Sequence, residues 1–446
     1  MSLTVEAIRD CLDGAVPAIV ATCAADGTPN TSYVSEVHFV DHDHVALSFQ
    51  FFNKTRENVL ANPSATVIVI DPQTAAQYRL ALRYLRTETE GPLFERMKAK
   101  LSGIASHTGM AGVFRLLGSD VYRVLSIERI PAGELPAPPR RSLLAPLRVS
   151  SDRLSRCATL GQLLDEFLAS LEQGFDIHHA MVLALDAPGE RLYTIASRGY
   201  EASGVGSEIP VGVGVIGVAA AQRTPIRINH MTSDYAYGRA VRESAERSGW
   251  GSMLETTIPF PGLAGTRSQL AVPIIAGGRL LGVLYVESPE DFRFRYDDED
   301  ALVALSAQLG MAMHAQEQAA ESEEPPATAA QRSAPARGAP AIVRHYSADG
   351  SVFIGDDYLI KGVAGCIFRK LLSDYSREQR TEFSNRELRL DSSIRLPDIA
   401  DNLEARLILL EKRLAERCEF LRIEKTGRGR FRLRVDRPFK LVDVPG

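Results

Sequence analysis

The chain has 446 residues, enough for about three domains at the usual size of roughly 150 residues each. Its hydrophobic share of 45% and charged share of 24% are typical of soluble globular proteins and exclude a largely disordered, collagen-like or coiled-coil protein. The net charge is -5, so any nucleic-acid-binding role must be confined to one part of the chain.

No apolar run approaches the roughly 18 residues of a membrane span, and the opening MSLTVEAIRDCLDG lacks the features of a signal peptide. We therefore expect a cytoplasmic protein with no membrane partner. The five cysteines form no CxxC pair, which favours buried free thiols over a metal site. His38, His42 and His44 alternate along one segment without a matching set of ligands, so we expect them in solvent and predict no metal.

Two segments interrupt the alternation of predicted strands and helices. The first contains PAGELPAPPRRSLLAPLR, and the second contains EQAAESEEPPATAAQRSAPARGAPA. The second has almost no bulky apolar residue to bury, so it cannot offset the entropy of ordering. We predict domains at 1–130, 150–315 and 342–446, with a linker at 131–149 and a disordered linker at 316–341.

The first domain opens with a short amphipathic helix and a β-meander. Apolar, β-rich runs at 18–22 and 31–39 flank the Asp26-Gly27 turn, and another strand is predicted at 45–49. FFNKTRENVLANPSATVIVID then predicts a short helix from Thr55 to Asn62 and a buried strand at 66–70. This order implies a β barrel with small crossing helices.

The start of the short helix is a candidate phosphate site. Lys54 supplies a positive charge and Thr55 a hydroxyl beside the unpaired backbone N–H groups of a helix start. The alternative is a capped helix start in solvent.

Residues 10–130, and above all FNKTRENVLANP after a strand, resemble the pyridoxamine 5'-phosphate oxidase-like split-barrel family. The resemblance implies FMN at a homodimer interface, with its ring along one strand and its phosphate just after the next. It assigns the cofactor to Tyr33, Val34, Ser35, Ser48, Phe49, Lys54, Thr55 and Asn58. SDVYRVLSIERIPAGE lacks the Arg and His set that completes the vitamin B6 site, so that oxidation is not expected. Some relatives bind haem or a deazaflavin instead, and His107 is either a haem ligand or proton donor or a solvated loop residue.

The second domain begins with one predicted amphipathic helix at 151–175, which carries apolar residues at helical spacing. Strands follow at 181–185 and 192–197, then a hairpin pairing LAVPIIA with RLLGVLYVES across Gly277-Gly278, and a final helix at 298–316. This order resembles a GAF domain over residues 150–315. The resemblance implies an α/β domain with an antiparallel sheet flanked by helices, which either binds a small ligand or only dimerises.

Gly212, Gly214 and Gly217 spell the GxGxxG pattern of a dinucleotide site. A Rossmann site would need an acidic residue at the end of a second parallel strand, whereas Asp234 lies in a polar loop. We therefore interpret the glycines as a tight turn into a helix. The loop at 229–250 would cover a ligand cavity with Met231, Tyr235, Tyr237 and Trp250.

The third domain carries the positive charge of the chain, with 21 Lys and Arg against 17 Asp and Glu from residue 341 onward. The sequence predicts a helix at 361–375, followed by the segment FSNREL and by a long helix. One face of the long helix carries Ile399, Leu403, Leu407, Leu410 and Leu414. The basic hairpin LRIEKTGRGRFRLRV comes after it.

Residues 345–437 resemble the α+β winged-helix DNA-binding domain of response regulators. The resemblance implies DNA contacts from the outward face of the long helix and from the hairpin, with Arg406, Arg413, Lys425, Arg428, Arg430 and Arg432 as the DNA-binding residues. The same outward face carries Glu404, Glu411 and Glu416, which leaves open a protein-binding surface.

Three functions are consistent with this multidomain order of split barrel, GAF domain and winged helix. The first is a dimeric sensor and transcriptional regulator in which flavin state controls DNA binding. The second is an FMN-dependent oxidoreductase, whose cofactor would carry the chemistry and leave few catalytic side chains to recognise. The third is a binding protein whose barrel is only a dimer scaffold.

Overall fold

The computed structural model describes residues 3–12, 16–34, 36–50, 54–91, 93–98, 116–137, 139, 141–186, 189–228, 258–263, 265–322, 339–391, 394, 403–427 and 429–444. These residues form three modules with separate sheets. The described helices include none that is long and apolar enough to cross a membrane.

The first module is a β-barrel-like sheet. Its elements are a 3-10 helix (Glu6–Leu12), β1 (Ala18–Cys23), β2 (Pro29–Val34), β3 (Val37–Phe39), β4 (His44–Phe49), α1 (Lys54–Ala61), β5 (Ser64–Ile70), β6 (Gln77–Glu88) and β7 (Gly118–Ile130). The seven strands pair antiparallel in the order β2-β1-β5-β6-β7-β4-β3. In β5, alternate residues are buried, and Val67 packs with Val20 and Leu80 in one apolar core.

The predicted meander, short helix and buried strand are all present. The predicted strand at 31–39 is two strands instead, β2 and β3, which pair with different neighbours at opposite edges of the sheet. This split carries the chain from one edge of the sheet to the other.

The second module is a six-stranded antiparallel sheet with helices on both faces. Its elements are α2 (Leu144–Leu154), α3 (Leu160–Phe175), β8 (His179–Leu185), β9 (Arg191–Arg198), β10 (Glu208–Pro210), α4 (Gly214–Gln222), β11 (Ile226–Ile228), β12 (Ser268–Ala276), β13 (Arg279–Ser288) and α5 (Tyr296–Ser322). The strand order is β10-β9-β8-β13-β12-β11. Phe167 of α3 and Leu302 of α5 belong to the core on one face, and Val215 of α4 belongs to the core on the other.

The predicted single helix at 151–175 is two helices, α2 and α3. The break occurs because Thr159 is extended and its hydroxyl accepts a hydrogen bond of 3.3 Å from the Gln162 N–H, which caps a new helix. α2 begins inside the predicted linker 131–149, and α5 continues into the predicted linker 316–341 as far as Ser322. Residues 323–338 of that linker lie outside the described residues.

The described part of the third module contains two sheets and three helices. Its elements are β14 (Ala341–Tyr346), β15 (Ser351–Ile354), β16 (Asp357–Ile360), α6 (Gly362–Glu378), β17 (Glu382–Ser384), α7 (Asn385–Leu390), α8 (Leu403–Arg417), β18 (Leu421–Gly427), β19 (Arg430–Val435) and β20 (Phe439–Val444). The sheets have the orders β16-β15-β14-β20 and β17-β19-β18. β20 pairs parallel with β14, so the chain returns beside the first strand of the module.

The described residues of the modules contact one another. The first module reaches the start of α5, where Arg9 pairs with Asp297 and, at 3.0 Å, with Asp300. There the centroid of the Tyr296 ring lies 4.1 Å from the guanidinium of Arg227 and 5.2 Å from that of Arg9. The third module packs α8 against β9 and α3 of the second.

Candidate functional sites

The start of α1 brings together polar side chains from two elements of the first module. The Thr55 hydroxyl accepts a hydrogen bond of 2.9 Å from the Asn30 side-chain amide and lies 2.8 Å from the Ser32 hydroxyl, both on β2. Lys54 lies beside them, with its Nζ 3.4 Å from Glu57 and its side chain 56% exposed. The structure therefore positions a hydroxyl cluster and an accessible ammonium group at a helix start, a combination that suits an anion.

Asn58 is placed differently from the other residues predicted for the phosphate end. Its side chain is 1% exposed, and its amide donates a 3.1 Å hydrogen bond to the Thr22 hydroxyl on β1. In this structure Asn58 attaches α1 to the sheet, since its amide already has a buried partner.

Arg56 is a residue of this site that the sequence reasoning missed. Its guanidinium lies 4.6 Å from the Phe49 ring centroid and pairs with the buried Asp120 on β7. Asp120 also accepts a 2.5 Å hydrogen bond from the Thr87 hydroxyl, and burial raises the pKa of its carboxyl despite these partners. In the sequence, this role was indicated only by the position of Arg56 next to Lys54 and Thr55. Its partner Asp120 could not be recognised, because it is 64 residues away.

The strands predicted to line a flavin ring present both exposed and buried groups. Tyr33 is 78% exposed on β2, whereas Val34 is buried on the opposite side of that strand, and Ser35 lies outside the described residues. Ser48 on β4 is paired in register with Ser119 on β7. Over the described chain, the hydroxyls of Ser48 and Ser119 are buried without a hydrogen-bond partner. Buried hydroxyls usually have a hydrogen-bond partner, so these two suit a binding site in which a further polar group supplies that partner.

The histidines of this module differ from the expectation of solvent exposure. His38 is 3% exposed and its Nδ1 lies 3.3 Å from Glu36 Oε1, so it is a buried residue. Adjacent residues of a strand face opposite sides, and both Val37 and His38 are buried, so both faces of β3 are covered. His42 remains exposed, and His107 lies outside the described residues. Within the described ranges there is no group of three His, Cys, Asp or Glu side chains that could hold a metal ion.

In the second module the GxGxxG segment forms a tight turn into α4. Gly212 and Gly214 have φ of +86° and +64°, in the left-handed region that favours glycine. A Cβ on Gly217 would lie 2.3 Å from the Pro210 carbonyl oxygen. The strand before this turn is antiparallel to its neighbour, which excludes the βαβ unit of a Rossmann site.

A buried polar cluster in the second module was not predicted from the sequence. Glu287 is 2% exposed and accepts hydrogen bonds from the Leu263 N–H at 3.0 Å and from the Thr266 hydroxyl at 2.6 Å. Tyr285 donates a 2.6 Å hydrogen bond to Gln269. The sequence feature that could have predicted this cluster is the presence of Gln269 and Glu287 in two otherwise apolar strands. The loop residues Met231, Asp234, Tyr235, Tyr237 and Trp250 lie outside the described residues.

In the third module, the structure corrects the placement of two residues predicted on the outward face of the long helix. Arg406 is 9% exposed and Arg413 is 4% exposed. The Arg406 guanidinium lies 4.0 Å from the ring centroid of Tyr193 on β9. Arg413 donates a 3.0 Å hydrogen bond to the Leu359 carbonyl, and burial lowers the pKa of its guanidinium. Both are buried because α8 has packing partners on two sides.

The basic residues of the β18–β19 hairpin are more accessible, although three of them, Lys425, Arg432 and Arg434, form ion pairs. Lys425 Nζ lies 2.6 Å from Glu404, and Arg432 lies 2.5 Å from Glu382. Among the described residues, Arg430 has no carboxylate within ion-pair distance. Arg428 lies outside the described residues.

Comparison with known proteins identifies the first two modules. Residues 4–123 match the family model described as pyridoxamine 5'-phosphate oxidase, and residues 159–313 match the GAF domain model. The chain thus contains one domain of each kind, and neither matched segment extends beyond residue 313. A comparison with curated proteins gives no match.

Several solved structures are similar to parts of the chain. The GAF domain of an Acinetobacter phosphoenolpyruvate-protein phosphotransferase is 22% identical and covers 39% of this chain and 93% of its own, with a TM-score of 0.30. A free methionine-R-sulfoxide reductase from Neisseria meningitidis is 19% identical and covers 42% and 98%, with a TM-score of 0.31. An FMN-binding protein from Syntrophomonas wolfei is 16% identical and covers 29% and 86%, with a TM-score of 0.25.

Proposed function

We propose that this chain is a homodimeric, FMN-binding regulator whose C-terminal module is a winged helix that binds DNA. The observation that carries the proposal is the cluster at the start of α1, in a module that matches the pyridoxamine 5'-phosphate oxidase model. The GAF domain would connect the flavin module to the DNA-binding module.

The residues at the start of α1 fit the phosphate of FMN. Thr55 is held in place by Asn30 and Ser32, so its hydroxyl needs little reordering to meet an anion. Among the described residues, Lys54 pairs with an exposed Glu57 at 3.4 Å, and such exposed pairs are weak and easily exchanged. When bound, FMN would supply electron transfer, while the side chains of this module would bind and orient it.

The ring of the flavin would lie along β2 and β4. Tyr33 offers an exposed aromatic face on β2, which is an edge strand of the sheet. The orphaned hydroxyl of Ser48 on β4 offers a hydrogen bond to a polar group brought by the ligand or by a second subunit. Exposed apolar residues near this edge, Ile19 and Leu60, favour the homodimer contact.

The contact between the first and second modules offers a route for regulation. Arg9 connects the 3-10 helix to the start of α5 through Asp297 and Asp300. A ligand shifts a conformational equilibrium only by its different affinity for the two states. The flavin would therefore have to bind one arrangement of this contact more tightly than the other.

The charge of the third module and the order of its elements support the proposal that it binds DNA. Three helices are followed by a hairpin whose strands carry Arg430, Arg432 and Lys425. Alternation places Arg430 and Arg432 on a different face from the buried Phe431 and Leu433, whereas Lys425 is paired in register with Phe431 and lies at the end of their face. The hairpin would contact the phosphate backbone, which supplies most of the salt-dependent affinity.

The test is a comparison of FMN and riboflavin binding by wild type and Lys54→Gln, with Lys98→Gln as a control of the same charge change in an exposed pair of the same module. We expect Lys54→Gln to weaken FMN binding about tenfold, as for loss of a hydrogen bond to a charged group, and to leave riboflavin binding unchanged.

Equal binding of FMN and riboflavin by wild type would contradict the phosphate assignment. A Soret band in the purified protein would indicate haem, and a bound deazaflavin would be recognised by mass. Sustained NAD(P)H turnover by the full chain would support the oxidoreductase alternative over the regulator.

A further inference from the structure

Helix α8 is buried on two faces, which is unusual for a helix expected to enter DNA. One stripe, formed by Leu403, Leu407, Leu410 and Leu414, packs in the core of the third module. A second stripe consists of Arg406, Leu409 and Arg413, all at most 9% exposed. This second stripe faces the GAF domain, because Arg406 lies on Tyr193 and Leu409 lies beside Gly206.

The edge of this contact is made of polar pairs between the two modules. The Ser203 hydroxyl donates a 2.5 Å hydrogen bond to Glu416, and Lys412 lies 3.4 Å from Asp165. On the other side, Lys361 at the start of α6 lies 3.3 Å from Glu208. The Ser203–Glu416 and Lys412–Asp165 contacts are exposed, and exposed polar pairs contribute little stability and are sensitive to salt, whereas Lys361 and Glu208 are partly buried at 28% and 22% exposed.

The packing is incompatible with insertion of α8 into DNA. A helix with its side chains is about 10–12 Å across, and the major groove is about 12 Å wide. The groove therefore has no room for α8 together with the strand β9 that covers its Arg406 stripe. A domain that uses α8 to read DNA has to separate from the GAF domain first.

We propose that the α8–GAF contact is autoinhibitory: it holds the third module in a form that cannot bind duplex DNA until the contact opens. This inference rests on the proposed DNA-binding function of that module. It assigns the GAF domain a direct role as the inhibitory surface, through Tyr193, Ser203 and Glu208.

The test uses variants that oppose like charges across the contact while making the protein more negative. Ser203→Glu would face Glu416, and Lys361→Glu would face Glu208. Ser155→Glu and Lys440→Glu make the same charge changes at exposed positions away from the contact. Affinity for a labelled duplex of mixed sequence, roughly 30 base pairs long, is measured at low salt by fluorescence anisotropy with the full chain. Small-angle X-ray scattering of the same samples reports separation of the modules as an increase in radius of gyration.

We expect Ser203→Glu and Lys361→Glu each to raise DNA affinity about five- to tenfold, although added negative charge alone weakens DNA binding. The two controls should bind as wild type or more weakly. Glu208→Gln combined with Lys361→Glu removes the opposed carboxylate without placing a cation beside Arg191, which pairs with Glu208 at 3.2 Å, and should return affinity toward the wild-type value.

The remaining outcomes overturn the inference in distinguishable ways. If wild type binds DNA and the opened variants bind no more tightly, the contact is not inhibitory, while the DNA-binding proposal stands. If the modules separate and no variant binds DNA, the DNA-binding proposal fails and the inference fails with it. If Ser203→Glu combined with Lys361→Glu does not separate the modules, the contact is a permanent interface and not a switch.

Discussion

The pair formed by Arg56 and Asp120 provides a test of how the first module is held together. Both side chains are largely buried, at 15% and 8% exposed, and Asp120 has Thr87 as its second partner. Arg56→Met keeps the length and apolar contacts of the side chain but leaves the carboxylate buried without its counter-charge. Removing one partner of a buried ion pair costs about 3–5 kcal/mol. We therefore expect the free energy of unfolding of this module to fall by that amount.

The pair of Arg56→Met with Asp120→Leu should recover most of this loss, to within about 1 kcal/mol of wild type, because no buried charge remains. Thr87 would keep its 2.7 Å hydrogen bond to the Tyr84 hydroxyl. The assay is hydrogen exchange of amides in β6 and β7, since the single tryptophan of the chain, Trp250, is outside this module. The expected loss corresponds to roughly a 10²- to 10⁴-fold fall in protection.

The pH dependence adds a second check on the same variant. Burial already raises the pKa of Asp120, and removing Arg56 should raise it further. The folded state then favours the protonated carboxyl, so the deficit of Arg56→Met is smallest below about pH 4 and grows as pH rises through the raised pKa. Arg86→Met, in an exposed pair with Glu88, should cost no more than about 1 kcal/mol. A similarly small cost for Arg56→Met, or a double variant as unstable as the single one, would refute the reasoning.

Three further predictions concern the other modules. Gly217→Ala should lower the melting temperature of the GAF domain, because the new Cβ would meet the Pro210 backbone. Gly161→Ala is the control: its Cβ has no atom within 4 Å, so the melting temperature should stay the same or rise. Equal effects of the two substitutions would contradict the packing argument. Arg430→Ala should weaken DNA binding by the full chain and reduce the slope of log affinity against log salt by about 1, and an unchanged slope would remove this residue from the interface. Hydrogen bonding to Arg369 lowers the pKa of Asp443, so the stabilisation that its carboxylate gives the third module is lost as pH falls. Asp443→Asn should therefore make the free energy of unfolding of this module depend less on pH in the acid range. Amide exchange in β14 at several pH values measures this, and an unaltered pH dependence would count against it.

Local patterns predicted most of the secondary structure. The Gly277-Gly278 hairpin is present between β12 and β13, with both glycines at positive φ, because two-residue turns of this kind depend on neighbouring residues alone. The sequence did not predict the break, since apolar spacing continues through it, whereas the backbone leaves the helix after Leu154 and a new helix starts after the extended Thr159.

The candidate sites were less predictable because their geometry depends on distant residues. Lys54 and Thr55 were found from their position after a strand, but Asn30 and Ser32, which orient Thr55, come from a different hairpin. The burial of Arg406 was missed for the same reason. Its spacing on α8 is that of a solvated face, and only the packing of the GAF domain against that face covers it.

The parallel pairing of β14 with β20 has a consequence for synthesis of the protein. His345 on β14 and its partner Asp443 on β20 are 98 residues apart. At about 5–20 residues per second, the ribosome would need roughly 5–20 s to supply the second strand after the first. During that interval one side of β14 is an unpaired strand edge, the kind of surface at which chains aggregate. The third module should therefore expose this edge to chaperones during synthesis, as the second module exposes β8, whose partner strand β13 lies a similar distance along the chain.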